Sequence, residues 1–482
     1  MPTLPEILNH GWQIHQSGDL AGAEQIYRGV LDQAPGNPDA LTYLGIALFD
    51  QRRFEESVDA YQQALAARDQ FPIAWNNLGN SLRMLGRIDE AESAFVKALD
   101  QDPKYLSAFK NRGTLWVWSG EVQRGLQWYE AGLAIDPSNA ELHRNLGVIY
   151  LLLGDYGRGW TEYRWRWAMP GMARPNCQAP IWQGESLDGK SILLYPEQGR
   201  GDAIQFIRMA KVLSEAGAHV VVQCASEMIS LFTSAPGITQ LFPYEAATPP
   251  VHYQASLIDA VDVWYTTQGS VPYAVDSVNS GYLTVSTALI DYWKNWLDEN
   301  IPTRCLDAPR RDVANTPPRS VGAKRGTPRR VGINWQGNRE HHADVYRSLP
   351  LSEFKPLAET PGVQLINLQF GDGVQQLGEV DFGDHIHRLP ADVDATDGAF
   401  TDTAAIIKNL DAVITSDTAL AHLAGSVGTE THLLLGRIPD WRWLTEGDRT
   451  PWYPTMQLHR QTEIGNWSDV IKSVCKKMDS KV

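Results

Sequence analysis

The stretch WNNLGNSLRMLGRIDEAESAFVKALDQDP, residues 75–103, decides the fold of the first third of the chain. Its Gly79 belongs to a series, Gly11, Gly45, Gly79, Gly113 and Gly147, in which each glycine follows the last by 34 residues. Sixteen residues past each glycine stands an aromatic: Tyr27, Tyr61, Phe95, Tyr129 and Tyr163. Twelve past each is a small residue: Ala23, Ser57, Ala91, Gly125 and Gly159. Pro35, Pro103 and Pro137 close their units, with Asp69 in the equivalent slot once. The spacing predicts pairs of antiparallel helices. Glycine and small residue face each other where the axes cross, since a large side chain would force them apart. The aromatic is expected to fill the gap to the next unit, and proline to end the second helix because it has no N–H to donate. Ser17-Gly18-Asp19 and Leu85-Gly86-Arg87 read as the turns between helices.

At period and signature positions this resembles the tetratricopeptide repeat, about five times between residues 4 and 167. The resemblance implies an all-α superhelix over residues 1–169, with a concave face that holds a peptide or protein segment. The alternative is an array that stabilises or dimerises its own chain.

The chain has 482 residues, enough for two to four domains. It is 43% apolar and 21% charged, so it builds ordinary cores. The net charge of −15 argues against a general nucleic-acid or anionic-membrane binder. Cys177, Cys224, Cys305 and Cys475 lie far apart with no CxxC pair, which points away from a zinc ribbon or a disulfide framework. The opening MPTLPEILNHGWQ lacks the basic and apolar regions of a secretory signal, and no run reaches the ~18 apolar residues of a membrane span. The expectation is a cytoplasmic chain without a membrane span.

Beyond the Pro/Gly/Trp stretch from Pro170 to Gly184 the period changes. Ser191–Tyr195 reads as a buried strand, Gln198–Asp202 as a glycine turn, Ile204–Leu213 as a helix and His219–Gln223 as a second strand: a βαβ unit. Leu257-Ile258-Asp259 is expected to be a further short strand. A second set starts with the strand at Arg330–Trp335 and continues with Val363–Leu368, the helix Thr401–Leu410, the strand Ala412–Thr415, a helix from about Thr418 and the strand Thr431–Leu435. This gives two Rossmann-like α/β halves, 185–303 and 330–482, joined by a charged, proline-rich linker at 304–329. Two such halves face each other across a cleft at the carboxyl ends of both sheets, where ligands bind.

Three segments there carry polar chemistry. In Gln198-Gly199-Arg200-Gly201-Asp202 the third glycine of a dinucleotide fingerprint is replaced by Ile204. Asp202 is either a helix N-cap or a general base for an acceptor hydroxyl. In Trp335-Gln336-Gly337-Asn338, with Arg347 and Ser348 behind it, a glycine turn is expected to bind a diphosphate through backbone N–H groups and one guanidinium. The adjacent His341-His342-x-Asp344 is a poor match to metal spacing, so no metal site is expected. In Ser416-Asp417-Thr418-Ala419, followed by His422, a strand end and helix start offer N–H groups and a hydroxyl to phosphate. Capping by Ser416 or Asp417, and packing by His422, is the plainer alternative.

The stretches EQGRGDAIQFIR (197–208), GINWQGN (332–338), RSLPL (347–351), FTDTAAIIKNLDAVITSDTALAHLAG (400–425), PDWRWL (439–444) and TPWYPT (450–455) resemble the bacterial glycosyltransferase family of the lipopolysaccharide heptosyltransferases, in its repeat-fused branch. That resemblance implies the GT-B fold, metal-independent transfer with the nucleotide sugar as substrate and no cofactor, and a base at Asp202. It implies donor-phosphate contacts at Asp417, Thr418, Ala419 and His422. Some repeat-fused members are similar to flagellin glycosyltransferases, whose repeats hold the protein acceptor. Gln198, Gly199 and Gly201 then belong to the acceptor side, and Glu430 would oppose donor phosphates if it lay beside them. The expected activity is inverting transfer of a sugar to a protein or peptide Ser/Thr hydroxyl. The rivals are a non-catalytic repeat adaptor and a transferase acting on glycolipid or polysaccharide.

Overall fold

Between Leu4 and Tyr163 the chain folds into ten helices paired as five hairpins: α1 (Leu4–Gln16) with α2 (Leu20–Gln33), α3 (Pro38–Asp50) with α4 (Phe54–Ala67), α5 (Pro72–Met84) with α6 (Ile88–Gln101), α7 (Leu106–Trp118) with α8 (Val122–Ile135), and α9 (Ala140–Leu152) with α10 (Tyr156–Tyr163). This is a computed structural model, and it describes residues 2–272, 281–301, 328–341, 343–396 and 398–479. Its two compact units are Met1–Tyr150 with Arg158–Met169, and Leu151–Gly157 with Pro170–Val482.

Glycine and small residue meet across the second and fourth hairpins. The Ser57 hydroxyl donates to the Gly45 carbonyl at 2.7 Å, and a Cβ on Gly125 would lie 2.8 Å from the Gly113 carbonyl oxygen. The aromatic fills the gap to the next unit as expected, Tyr27 stacking on Tyr43 of the next hairpin at 5.5 Å and Tyr61 and Phe95 sharing one core with Leu78 and Leu115 of the hairpins that follow. It also covers the glycine of its own hairpin. A Cβ on Gly79 would lie 2.6 Å from the Phe95 ring, and Gly11, Gly45 and Gly113 are covered in the same way by Tyr27, Tyr61 and Tyr129. The ring needs the groove that a missing side chain leaves. Turns between paired helices take left-handed backbone at Gly18, Gly86, Gly120 and Gly154, and at Arg52 in the second hairpin. Gly79→Ala is expected to destabilise the chain by about 1–3 kcal/mol through overpacking, outweighing a helix-propensity gain of roughly 1 kcal/mol. Urea unfolding checks it, and a raised midpoint would show that Phe95 simply swings aside.

The second unit holds two all-parallel sheets. The first has the order β3-β2-β1-β4, from β1 (Ser191–Tyr195), β2 (His219–Cys224), β3 (Ile238–Pro243) and β4 (Tyr253–Ser256). Its helices are α11 (Arg200–Phe206), α12 (Met209–Glu215), α13 (Ile229–Phe232) and α14 (Leu257–Gln268), and α15 (Thr287–Asn300) follows. The second sheet has the order β10-β9-β8-β5-β6-β7, from β5 (Arg329–Asn334), β6 (Val363–Asn367), β7 (Ile386–His387), β8 (Ala412–Ser416), β9 (Thr431–Leu435) and β10 (Met456–Arg460). Short helices α16 (Asp344–Arg347) and α17 (Lys355–Ala358) precede α18 (Thr401–Lys408), α19 (Ala419–Ser426) and α20 (Ser468–Asp479). Central strands such as β8 and β9 are buried along their whole length, as a sheet covered on both faces requires. Val331, Ile333, Ile414 and Leu434 share one core with Val470, Ile471 and Val474 of α20.

The expected fold class, a repeat superhelix followed by two Rossmann-like α/β halves, is the one observed. Some local readings change. Leu257-Ile258-Asp259 is not a strand but the start of α14, where Ser256 caps the Asp259 N–H at 2.9 Å. The helix expected over 204–213 begins at Arg200 and breaks at Ile207–Arg208. There Arg208 donates to the Gln205 carbonyl at 2.7 Å and to the Trp452 carbonyl at 2.9 Å. Residues 304–327 of the expected linker lie outside the described residues. No described helix is long and apolar enough to cross a membrane.

Candidate functional site

In the second sheet β5 lies between β6 and β8, so the loops leaving β5 and β8 diverge and open a crevice at their carboxyl ends. Asn334, the last residue of β5, ties the crevice together. Its Oδ1 accepts from the hydroxyls of Thr415 at 3.1 Å, Thr418 at 3.3 Å and Ser416 at 3.5 Å, and its amide donates to Gln369 at 2.8 Å. Gln369 is 2% exposed; it accepts from the Trp335 and Gln336 N–H groups and donates to the Gln336 and Asp372 carbonyls. Neither Asn334 nor Gln369 stands out in the sequence, although a buried polar residue closing an apolar strand is a usable signal.

The expected phosphate turn after β5 is corrected. The Gly337 N–H donates to Ser348 Oγ at 3.0 Å, the Arg339 N–H to Asp372 at 3.1 Å and the Glu340 N–H to Asn338 at 2.8 Å, so those donors are occupied. Ser348 in turn donates to the buried Asp344 at 2.6 Å, which makes it a brace rather than a ligand. Asn338 is exposed. What the turn offers is Arg347: its guanidinium lies so close to Gly337 that a Cβ there would sit 2.8 Å from Nη2. Among the described residues, Arg347 Nε is buried without a hydrogen-bond partner, and its nearest carboxylate, Asp344, is 3.7 Å away. Burial and Arg347 push the His341 imidazole down, so it stays neutral. His341 Nδ1 accepts from the Ala343 N–H at 3.2 Å, His342 lies outside the described residues, and among those described no group of three His, Cys, Asp or Glu side chains could hold a metal ion.

Ser416, the last residue of β8, is buried, and Asp417, Thr418 and Ala419 after it are half-buried. Thr418 is the N-cap of α19 with extended backbone, and its hydroxyl makes no bond to the helix N–H groups. Asp417 is pushed up to about 7, first by burial and then by Asp440, against the pull of Arg347, the Trp443 N–H and Arg442. His422 takes the plainer of its two roles. It is 5% exposed, bonded through Nδ1 to Tyr453 at 2.9 Å and stacked on Trp443, and burial pushes it down, so it brings no charge to a phosphate.

From the first sheet, Asp202 stands in the first turn of α11, whose N-cap is Gly199 and not Asp202 itself. Gln198 and Gly199 are exposed on the turn. Gly201 presses against α19: a Cβ there would lie 2.9 Å from His422 Cδ2 and 3.3 Å from Ala419 Cα. The carboxyl ends of the two sheets therefore meet at this corner. Asp202 is paired with Arg442, which also donates to Asp440 at 2.7 Å and through Nε to Gln205 at 2.7 Å. Burial raises Asp202 above the ordinary carboxylate range, against Arg442 and together with Asp440. Asp440 and Arg442 stand in the quoted stretch PDWRWL, where the sequence assigns them no role. Glu430 is corrected in the other direction: it precedes the amino end of β9, beside His432 at 3.1 Å and Arg329 at 3.9 Å, remote from the strand's carboxyl end.

Residues 43–106 and 119–154 match the tetratricopeptide repeat family, whose arrays are protein-interaction modules. The chain is 25% identical over 341 residues to Protein FlbA of Caulobacter vibrioides, covering 65% of this chain and 51% of that protein, so it spans about half the length of the curated relative it matches. Among solved structures, a thermophilic tetratricopeptide repeat protein of Thermus thermophilus aligns at 18% identity over 34% of this chain and 90% of its own, with a TM-score of 0.32. PilF of Pseudomonas aeruginosa aligns at 18% identity over 44% of this chain and 85% of its own, with a TM-score of 0.33.

Proposed function

We propose that the second unit is an inverting glycosyltransferase that moves a sugar from a nucleotide-activated donor to a Ser or Thr hydroxyl of a protein bound by the repeats. The observation that carries this reading is the meeting of Asp202, from the first sheet, with the Arg442, Asp417 and Arg347 corner of the second. In the transfer, Asp202 takes the acceptor hydroxyl proton and the oxygen attacks the anomeric carbon from the face opposite the phosphate. The bond to phosphate breaks and its electron pair leaves with the nucleotide. Arg347, with an unpartnered Nε among the described residues, and the first-turn N–H groups of α19 offset that charge. The nucleotide sugar is a substrate, and no cofactor takes part. A cytoplasmic setting suits this donor.

Intact-mass analysis of candidate proteins co-expressed with this chain tests the reading, the expected result being a donor-dependent gain of one sugar mass. A nucleotide present at 100 times its dissociation constant is expected to add about 2.7 kcal/mol of stability. No mass gain and no nucleotide-induced rise in melting temperature would favour a non-catalytic adaptor. Mass gain on lipid or polysaccharide alone would remove the protein acceptor.

A further inference from the structure

The charges at the corner are unevenly matched. Arg442 is 6% exposed and faces two carboxylates, with Asp440 on its own turn holding Nη1 and Asp202 holding Nη2. Its guanidinium also stands over the Trp441 ring at 4.6 Å and the Phe206 ring at 5.3 Å, and Gln205 fixes Nε. Arg347, by contrast, meets its nearest carboxylate only at 3.7 Å. A diphosphate seated against Arg347 and the start of α19 would bring negative charge to a place where Asp417 and Asp440 already act on each other. One guanidinium edge is held there by a residue of the opposite sheet rather than by its own turn: Nη2 of Arg442.

We infer that Arg442 is a donor-phosphate ligand held in reserve by Asp202, and that a nucleoside diphosphate sugar draws Nη2 off Asp202 and so frees the base only once the donor is seated. The inference rests on the transferase reading and adds an order to it. Asp440, Gln205 and the two rings keep the guanidinium anchored while a single edge changes partner, so no backbone movement is needed. In the transfer step the acceptor proton goes to the freed Asp202 carboxylate, and the new bond forms between acceptor oxygen and anomeric carbon. The old bond to the phosphate oxygen breaks, and its pair stays on the nucleoside diphosphate beside Arg442. A protein without donor would keep its base paired, which suppresses proton abstraction from an acceptor that arrives alone.

Isothermal titration of ADP, GDP, UDP and CDP into the full chain tests this. With whichever nucleotide binds, Asp202→Asn is expected to bind about 3–10-fold tighter, because a neutral amide competes less well than a carboxylate for the guanidinium. Arg442→Gln is expected to bind about 10–100-fold weaker, the size of a lost charge-assisted hydrogen bond, and Arg442→Lys to fall between. The gain in Asp202→Asn cannot come from misfolding, so it keeps the test open even if Arg442→Gln melts. A nucleotide that binds wild type and Asp202→Asn equally overturns the exchange and leaves the transferase reading standing, as does unchanged affinity in a folded Arg442→Gln. Failure of all four nucleotides to bind wild type overturns the exchange, and only with no sugar mass gain on any acceptor does it overturn the transferase reading as well.

Discussion

Asp202→Asn is expected to lower turnover by about 10²–10⁴-fold, the usual contribution of a positioned general base, without weakening nucleotide binding. Asparagine keeps the size of the side chain and one acceptor oxygen for Arg442, so the corner stays assembled. What it loses is the ability to take a proton. Burial raises the Asp202 carboxyl above its ordinary range, which makes the ionised form a better base and displaces the acid limb of the pH–rate profile. Turnover should rise with pH as Asp202 loses its proton, at a pH above that of an exposed aspartate, and then level off. Single-turnover assays with enzyme in excess over a limiting donor and acceptor saturating separate this from binding. Wild-type turnover in Asp202→Asn, or an unchanged acid limb, would remove Asp202 from the chemistry.

The repeats are legible in the sequence because helix pairing is local. A 34-residue period with glycine, small residue and aromatic in fixed phase leaves few other ways to bury one face. Even so, one contact of the aromatic is not, since spacing alone does not say that Phe95, besides packing toward the next hairpin, covers Gly79. The parallel strands are legible as continuous apolar runs, but Leu257-Ile258-Asp259 shows the limit of that signal: a short buried run is strand or helix until Ser256 caps it. In the site, Asp202 and the Ser416–Ala419 corner emerge from strand ends and the polar residues beside them. The Gly337 turn misleads, because its N–H groups go to Ser348 and Asp372, the latter more than thirty residues away in sequence. Arg442 is hidden for the same reason, its meaning arising only when Asp202, 240 positions earlier, comes to face it. Long-range pairing of charges carries no short-range pattern.

Asp417→Asn is expected to stabilise the second unit at pH 8 by on the order of 1–4 kcal/mol, with the gain shrinking as pH falls and closing near pH 4. In the folded chain the Asp417 carboxyl is pushed up to about 7 by burial and by Asp440, whereas in the unfolded chain it returns to about 3.9. Between those values the folded state holds a proton that the unfolded state has released. By linkage, stability contributed by that proton is present at low pH and is lost as pH rises toward 7. Above 7 the wild-type protein carries the full penalty of a buried carboxylate beside Asp440, while asparagine carries none. Denaturant midpoints of wild type and variant at pH 4, 6 and 8 measure the difference, and parallel pH curves would show that Asp417 titrates normally. The same penalty has a functional side under the transferase reading. A carboxyl that still holds its proton near neutrality leaves Arg347 and the start of α19 to meet a diphosphate without repulsion. Nucleoside diphosphate affinity is therefore expected to fall above pH 7 in wild type more steeply than in Asp417→Asn. The ligand's own phosphate titration is common to both proteins and cancels in the ratio, so a ratio that stays flat from pH 6 to pH 8 would separate Asp417 from the donor site.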